Sequence, residues 1–518
     1  DKPASDQIKV RFMHGQSYGF DAFFPGDVID FVKSDTLTVY STNTVKSVAR
    51  LSNREFLLTL EEPAPDNISS GDVVENATWT PEVEIIGNYF SRIPTRGLLV
   101  TTRRSVLIEN NTFNKTGMSG ILIADDARSW YESGMVRDVT IRGNKFIKCG
   151  GPVIYILPEN SVVNYEDPVH KNVRVIDNEF VMLDNMVLYA KSLQGMEFKD
   201  NRIIRANTIG NNSTTAIELL ACSDVKITGN TFEGQGVNRN MILRQMSGES
   251  VYVDPSQEIN VTVTDELKEV ILALFVPQDK MTAEATSYST FSGDVPDNAI
   301  DGNLSTIWHT SWNPYDPLPQ SITLYLGSIY KVDSLWYSPR KDGTNGNIKR
   351  YRIYASTDGN QFNEIYSGSW SGDSSMKIAD FPAVDASHIK LEVLEGEGGW
   401  ASAAEINIGY QADNIKTGDD IQLGFRGIAP NGQLLDLSNA KISYINDNEN
   451  VASVDEDGRV LIVGEGTAKI RAAVTLYGKT VYSNELTIKT KENISSVLEG
   501  PDEIKTGSLF ILIFGLKA

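Results

Sequence analysis

One short phrase recurs through the first half of the chain. Asn88-Tyr89-Phe90, Asn111-Thr112-Phe113, Asn144-Lys145-Phe146, Asn178-Glu179-Phe180, Asn201-Arg202-Ile203 and Asn230-Thr231-Phe232 each join an Asn, a variable residue and a large apolar residue. β-rich runs such as Val83 to Ile86, Val106 to Ile108, Val139 to Ile141, Val173 to Ile176 and Val225 to Ile227 precede the phrase, with apolar and polar side chains alternating. A strand cluster that returns every ~20–30 residues and closes on a stacking turn residue is a solenoid, read here as a right-handed parallel β-helix. Asn suits the corner because its amide can hydrogen-bond its counterparts one coil above and below, and because it tolerates left-handed backbone. The following Phe or Ile is expected to point inward and stack. The ladder is therefore architectural, and function belongs to the coils that break the rule.

Two coils are roughly ten residues longer than the shortest, and inserted loops on a rigid scaffold are where sites are grafted. One loop spans 120–134 and the other 158–168, and the two are expected side by side. Asp125, Asp126, Glu132, Glu159 and Glu166 place carboxylates there, and Trp130 offers a flat face to a sugar ring. Arg96, one coil earlier, can bind hydroxyls with paired N–H groups.

Composition narrows the partners. Of the 518 residues, 47 are Lys or Arg and 68 Asp or Glu, a net charge of -21 that repels nucleic acid and anionic membrane and suits an uncharged glycan. Cys149 and Cys222, the two cysteines, are too few for a disulfide framework, lack metal spacing and read as buried structural thiols. No stretch reaches the ~20 apolar residues of a membrane span; Val270 to Val276 and Leu509 to Leu516 read as strands. The chain begins at Asp1 with neither an initiator Met nor a signal peptide and ends in an apolar run, as a fragment of a longer protein would.

Residues 1–80 lack the Asn phrase and read as a β-rich insertion or small barrel, with His14 as their one histidine. Residues 81–280 carry the β-helix and, after Gly236, where the phrase stops, its last coils and a closing β element. The strings Met13-His-Gly-Gln16, Phe24-Pro-Gly-Asp27, Arg96-Gly-Leu-Leu99, Glu109-Asn-Asn111 and Asp126-Ala-x-x-Trp130-x-Glu132-Ser-Gly134, followed by Arg137-Asp-Val-Thr-Ile141, resemble the family 110 glycoside hydrolases. That resemblance implies a secreted bacterial exo-α-galactosidase that removes terminal α-1,3-linked galactose, including from blood-group-B-like glycans, with inversion and without a catalytic cofactor. Inversion needs two carboxyl groups ~6.5–9.5 Å apart, one as acid and one activating water. Asp126 and Glu132 are the candidate catalytic pair, and Arg96, Trp130 and Glu159 the candidate substrate-binding residues. The resemblance also implies an acidic pair on coils preceding residue 1, so that this chain would carry part of the constellation.

From 281 to 409 the composition turns to Ser, Thr, Asp and Trp. Asn298-Ala-Ile-Asp-Gly-Asn-Leu-Ser-Thr-Ile-Trp-His-Thr310, Tyr351-Arg-Ile-Tyr-Ala-Ser-Thr-Asp-Gly359 and Ala403-Ala-Glu-Ile406 resemble the discoidin, or factor 5/8 type C, β-sandwich, specifically carbohydrate-binding module family 32. The resemblance implies a site for galactose or N-acetyl-hexosamine built by His309, Trp312, Arg340, Asn345 and Trp400. It also implies a structural calcium held by Asp301, Thr306, Glu405 and carbonyls near Asn298, Asn303 and Ala404; oxygen ligands suit that hard cation. Residues 411–491 form short strands with Asp-Gly-type turns and resemble the group 2 bacterial immunoglobulin-like domain, a spacer on a secreted or surface enzyme. Residues 492–518 read as the truncated start of a further module. Two other functions compete: a non-catalytic glycan-binding surface protein with a β-helix stalk, and a pectin-type lyase or hydrolase, which acid-rich loops on so acidic a chain disfavour.

Overall fold

The computed structural model describes residues 1–12, 22–128, 131, 134–183, 185–205, 215–234, 236–340, 343–411, 415–430, 434–435, 437 and 439–490. His14, Trp130, Glu132 and the terminal stretch 492–518 thus lie outside the described residues. The chain is nearly all β, its described helices being short 3-10 turns, none long and apolar enough to cross a membrane. It divides into two compact units: Asp1–Leu272 with Phe425–Ser443 and Ala472–Asn484, and Ala273–Gly424 with Tyr444–Arg471 and Glu485–Ala518.

In the first unit, five antiparallel strands open the chain in the order Gln7–Arg11, Glu55–Leu60, Val39–Arg50, Val28–Val32 and Val73–Asn76. Their inward positions, among them Ile29, Phe31, Phe56 and Leu58, form a closed apolar core. A parallel β-helix of three sheets follows. Its coils stack in strict register, so that Val83, Val106, Val139 and Val173 stand over one another, as the period-2 pattern requires.

The Asn ladder forms as expected in one respect and differs in another. Each ladder Asn donates its backbone N–H to the side-chain oxygen of the next: Asn88 to Asn111 (2.8 Å), Asn111 to Asn144 (2.9 Å), Asn144 to Asn178 (2.9 Å), Asn178 to Asn201 (3.0 Å) and Asn201 to Asn230 (2.9 Å). The left-handed residue, however, is the one before it: Gly87, Asn110, Gly143, Asp177, Asp200 and Gly229 all have positive φ. The corner divides its labour, one residue making the bend and the next satisfying the buried amides. Phe90, Phe113, Phe146 and Phe180 stack with centroids 4.9 Å apart.

The ladder also outlasts the phrase. Gln257 places its side-chain oxygen 3.1 Å from the N–H of Asn230, one methylene longer but with the same amide, and the coils run on through strands Val251–Val253 and Asn260–Thr264. Ile121–Asp125 belongs to the regular sheet, so the first insertion begins at Asp126 rather than Gly120. Cys149 and Cys222 are free, buried thiols in the solenoid core, and burial pushes Cys222 up to about 12.

In the second unit, Asn363–Ser369, Ile348–Ser356, Lys377–Gly396, Gln320–Ser338 and Glu405–Tyr410 form an antiparallel sheet in that order, joined by Thr282–Ala285 on Gln320–Ser338 and by Leu274 and Phe275 opposite Tyr410 and Gly409. Trp308, Tyr337 and Tyr351 are the largest fully buried side chains among its described residues. Short antiparallel strands continue to Lys489, for example Ala452–Val454 against Arg459–Ile462.

Candidate functional site

Within the first unit a cavity of about 810 Å³ lies between the five-stranded sheet and the strand end at Asp125. Phe12, Phe23, Phe31, Leu37 and Val73 contribute apolar wall, while Glu75, Asp125 and Asp126 are the buried three of the acids that line it. All three are nearly inaccessible, at 4%, 5% and 3% exposure. Acids held in an apolar wall must be paired or protonated.

Glu75 is paired in part. It stands directly opposite Asp30 on adjacent antiparallel strands, and Arg103, from the β-helix, reaches both carboxylates at 2.5 Å. Asp30 accepts a further bond from the Thr42 hydroxyl (2.5 Å), whereas the second oxygen of Glu75 has no partner among the described residues. Burial raises the pKa of Glu75 above the usual carboxylate range in spite of Arg103.

Asp125 is pushed up to about 7, first by burial and then by the charge of Glu75. The N–H of Gly134 donates to it, a bond that depends on glycine: φ is +140°, and a Cβ there would lie 1.5 Å from the Thr101 carbonyl oxygen. The segment after Gly134 is tied down by His170, whose Nδ1 accepts the Val136 N–H at 3.1 Å. Burial and the Arg137 guanidinium hold that imidazole near 3, so it is neutral, and its Nε2 has no partner among the described residues. Asp126 accepts the Arg128 N–H at 2.7 Å.

The two long loops do lie side by side. The Glu159 N–H donates to the Asp125 carbonyl at 2.9 Å, and the Arg128 guanidinium meets the Ser161 hydroxyl at 2.5 Å. Glu159 and Glu166 are exposed and outside the cavity wall. Arg96 is elsewhere: it precedes Leu98, which pairs with Ile121 at the start of the strand whose far end carries Asp125 and Asp126. It therefore lies at the start of that strand pair, away from the Asp125 end. Sequence reading also missed Glu75, Arg103 and His170, which no motif links to the loops; the signal available was an acid at an inward strand position, Glu75 within Val73–Asn76.

The second unit holds a separate site. His309 and Trp400 rings lie 6.2 Å apart, and Tyr315 stands edge-on to Trp400 at 6.0 Å. Nδ1 of His309 donates to the Thr310 carbonyl at 2.7 Å, leaving Nε2 as an acceptor, and burial with the Arg340 charge keeps the ring neutral. Asn345 Oδ1 and the Trp400 ring are both about 3 Å from the position a Cβ on Gly398 would take, which brings amide and indole together. Trp312 is joined to Tyr315 by a backbone bridge and is 43% exposed. The five residues therefore gather at one end of the sandwich, with Tyr315 as an unanticipated sixth.

Near the same module Asp301 and Glu405 approach each other. Glu405 accepts the Gly302 N–H (2.7 Å) and the Gln278 amide (2.5 Å), and Asp301 accepts the Thr306 hydroxyl (2.7 Å). Burial, with Asp301 nearby, pushes Glu405 up to about 7. Two acids and a hydroxyl are a donor set of the kind a hard cation takes.

Comparison with known proteins follows the same division. Residues 7–74 match the family model of the GLAA-B beta-barrel domain II, residues 70–266 that of the right-handed beta helix region, and residues 282–406 that of the F5/8 type C domain. Alpha-1,3-galactosidase A of Bacteroides fragilis (strain YCH46) is 46% identical over 244 residues, 45% of this chain and 40% of that protein. Its counterpart in Akkermansia muciniphila is 52% identical over 180 residues, 35% of this chain and 30% of that protein. The chain thus spans well under half the length of the curated relatives it matches. Among solved structures, the Clostridium perfringens chain CpGH89CBM32-5, in complex with GalNAc-β-1,3-galactose, is similar at 46% identity and TM-score 0.26, covering 26% of this chain and 98% of that one. The family 32 module of C. perfringens NanJ, in complex with galactose, is similar at 40% identity and TM-score 0.25, covering 27% of this chain and 99% of that one.

Proposed function

We propose that the first unit belongs to a secreted or cell-surface glycoside hydrolase that removes terminal α-1,3-linked galactose, including from blood-group-B-like glycans, with inversion. The observation that carries this reading is the cavity whose wall holds Glu75, Asp125 and Asp126. An acid with a pKa of about 7 keeps its proton long enough at neutral pH to donate it to a leaving oxygen, which is what a general acid must do. Asp125 takes that role and Asp126 that of the carboxylate activating water, with Glu132 retained as a third candidate on the same loop. Relatives named alpha-1,3-galactosidase support the choice of sugar and linkage. The sandwich binds galactose or N-acetyl-hexosamine through His309, Trp312, Arg340, Asn345 and Trp400, with calcium at Asp301, Thr306 and Glu405. Residues 411–491 act as an immunoglobulin-like spacer.

The test is to incubate an α-1,3-galactosyl saccharide with the 518-residue chain, and with any longer protein that contains it, and to follow the released sugar by proton NMR. β-Galactose as the first product is expected, with Asp125→Asn, Asp126→Asn and Glu132→Gln each assayed for a drop of at least ~100-fold. Unchanged rates in all three variants remove this site. Glycan binding with no turnover in any form supports the glycan-binding alternative instead.

A further inference from the structure

Phe291 is 83% exposed, more than any other large apolar side chain among the described residues. An exposed aromatic is commonplace on a slack loop, but this loop is not slack. Ser289 and Asp294 close it as a bridge; the Ser289 N–H donates to the His309 carbonyl (2.9 Å) and the His309 N–H to the Asp294 carbonyl (3.3 Å). The Ser292 hydroxyl bonds that of Ser289 (2.8 Å), and the Asn298 amide holds the Gly293 carbonyl (3.0 Å). Phe291 is therefore carried on a brace bonded to the backbone of His309, the residue at the heart of the sugar site.

Its ring stands edge-on to Trp312, centroids 6.0 Å apart at 89°, an arrangement repeated by Tyr315 and Trp400 at the same separation and angle. The pair Phe291–Trp312 is thus tied by the Trp312–Tyr315 backbone bridge to the group Tyr315–Trp400–His309, five rings in all, more than one pyranose can cover. Two exposed rings are far too small a surface for a protein partner, which needs about 1,000 Å² of buried area. They match the apolar face of one more sugar.

We propose that Phe291, with Trp312, forms a second subsite for the sugar next to the terminal galactose, so that the module recognises a galactosyl disaccharide rather than a lone ring. The proposal rests on the reading that His309 to Trp400 bind a galactose-type sugar. Because the loop is already ordered, contact with a second ring adds affinity without new ordering.

Saturation-transfer NMR and titration of the 518-residue chain with methyl β-galactoside and with a β-linked galactosyl-N-acetylglucosamine test it; the β linkage keeps any α-galactosidase action out of the readout. The disaccharide is expected to bind about tenfold tighter, with saturation reaching protons of both rings. In Phe291→Ala, a surface change that should leave folding intact, the ratio of the two affinities should fall to about one and the second ring's signals should fade. Equal affinities in the wild type, or an undiminished ratio in Phe291→Ala, overturn the second subsite alone. Failure of the wild type to bind either sugar overturns both the subsite and the reading on which it rests.

Discussion

Asp30 and Glu75 face each other across adjacent antiparallel strands, both almost wholly buried, with one guanidinium, that of Arg103, between them. Like charges in directly opposed positions repel, and burial leaves these two little solvent screening. The pair is tolerable because the β-helix supplies the cation.

Arg103→Met should therefore be strongly destabilising, by about 3–5 kcal/mol, since removing one partner leaves buried charge uncompensated. The sign of its pH dependence follows. Without Arg103 Glu75, already raised by burial, is protonated more readily in the folded state than in the unfolded one, so stability is retained at low pH and lost as pH rises. Urea midpoints at pH 5 and pH 8 check this: the deficit relative to wild type should be larger at pH 8.

For turnover, Asp125 must hold its proton, so the rate should fall as pH rises through about 7. Gly134→Ala should move that limb, because a Cβ cannot fit against Thr101 and the N–H that donates to Asp125 would shift. A pH–rate profile of the variant with a displaced basic limb is the expected outcome; an unmoved limb would detach Asp125 from the acid role.

Galactose binding by the sandwich should be weak, with a dissociation constant of roughly 0.1–1 mM, since a shallow site offsets little association entropy. Arg340→Ala should remove about 1.5–3 kcal/mol and abolish measurable binding. Gly398→Ala should do the same from outside the contact surface: φ is +70°, and the added carbon would press on the Trp400 ring at 2.7 Å and on Asn345 at 3.1 Å. Calorimetry on the three proteins, with thermal unfolding to verify that each is folded, decides it.

Calcium should act on stability through Glu405. With its folded pKa near 7, above the ordinary carboxylate value, the calcium-free chain should be most stable below about pH 4.5 and lose up to about 3 kcal/mol as pH rises towards 7. Calcium should abolish that slope, and Glu405→Gln should abolish both the slope and the calcium response. Melting curves in calcium and in chelator across pH 5 to 8 measure the difference; identical curves would remove the metal site.

Reading along the chain was sufficient wherever structure repeats. His309, Trp312, Arg340, Asn345 and Trp400 were legible only through a resemblance, whereas the Asn phrase and the alternating runs are local signals, because a coil corner needs particular residues at particular offsets. Their geometry follows from strand period and hydrogen bonding alone, and even Gln257 obeys the rule that ended the phrase, an amide oxygen at the corner. What only the tertiary structure decided is which distant residues meet. Glu75 and Asp125 are fifty residues apart and become one acid cluster because the five-stranded sheet sits against a particular end of a particular coil. Arg96, one coil before the first loop, stands at the start of the strand pair that ends at Asp125, a placement set by strand direction. Burial completes the distinction: an Asp in a sequence is an ordinary carboxylate, and it takes burial and then a neighbouring negative charge to raise Asp125 towards 7.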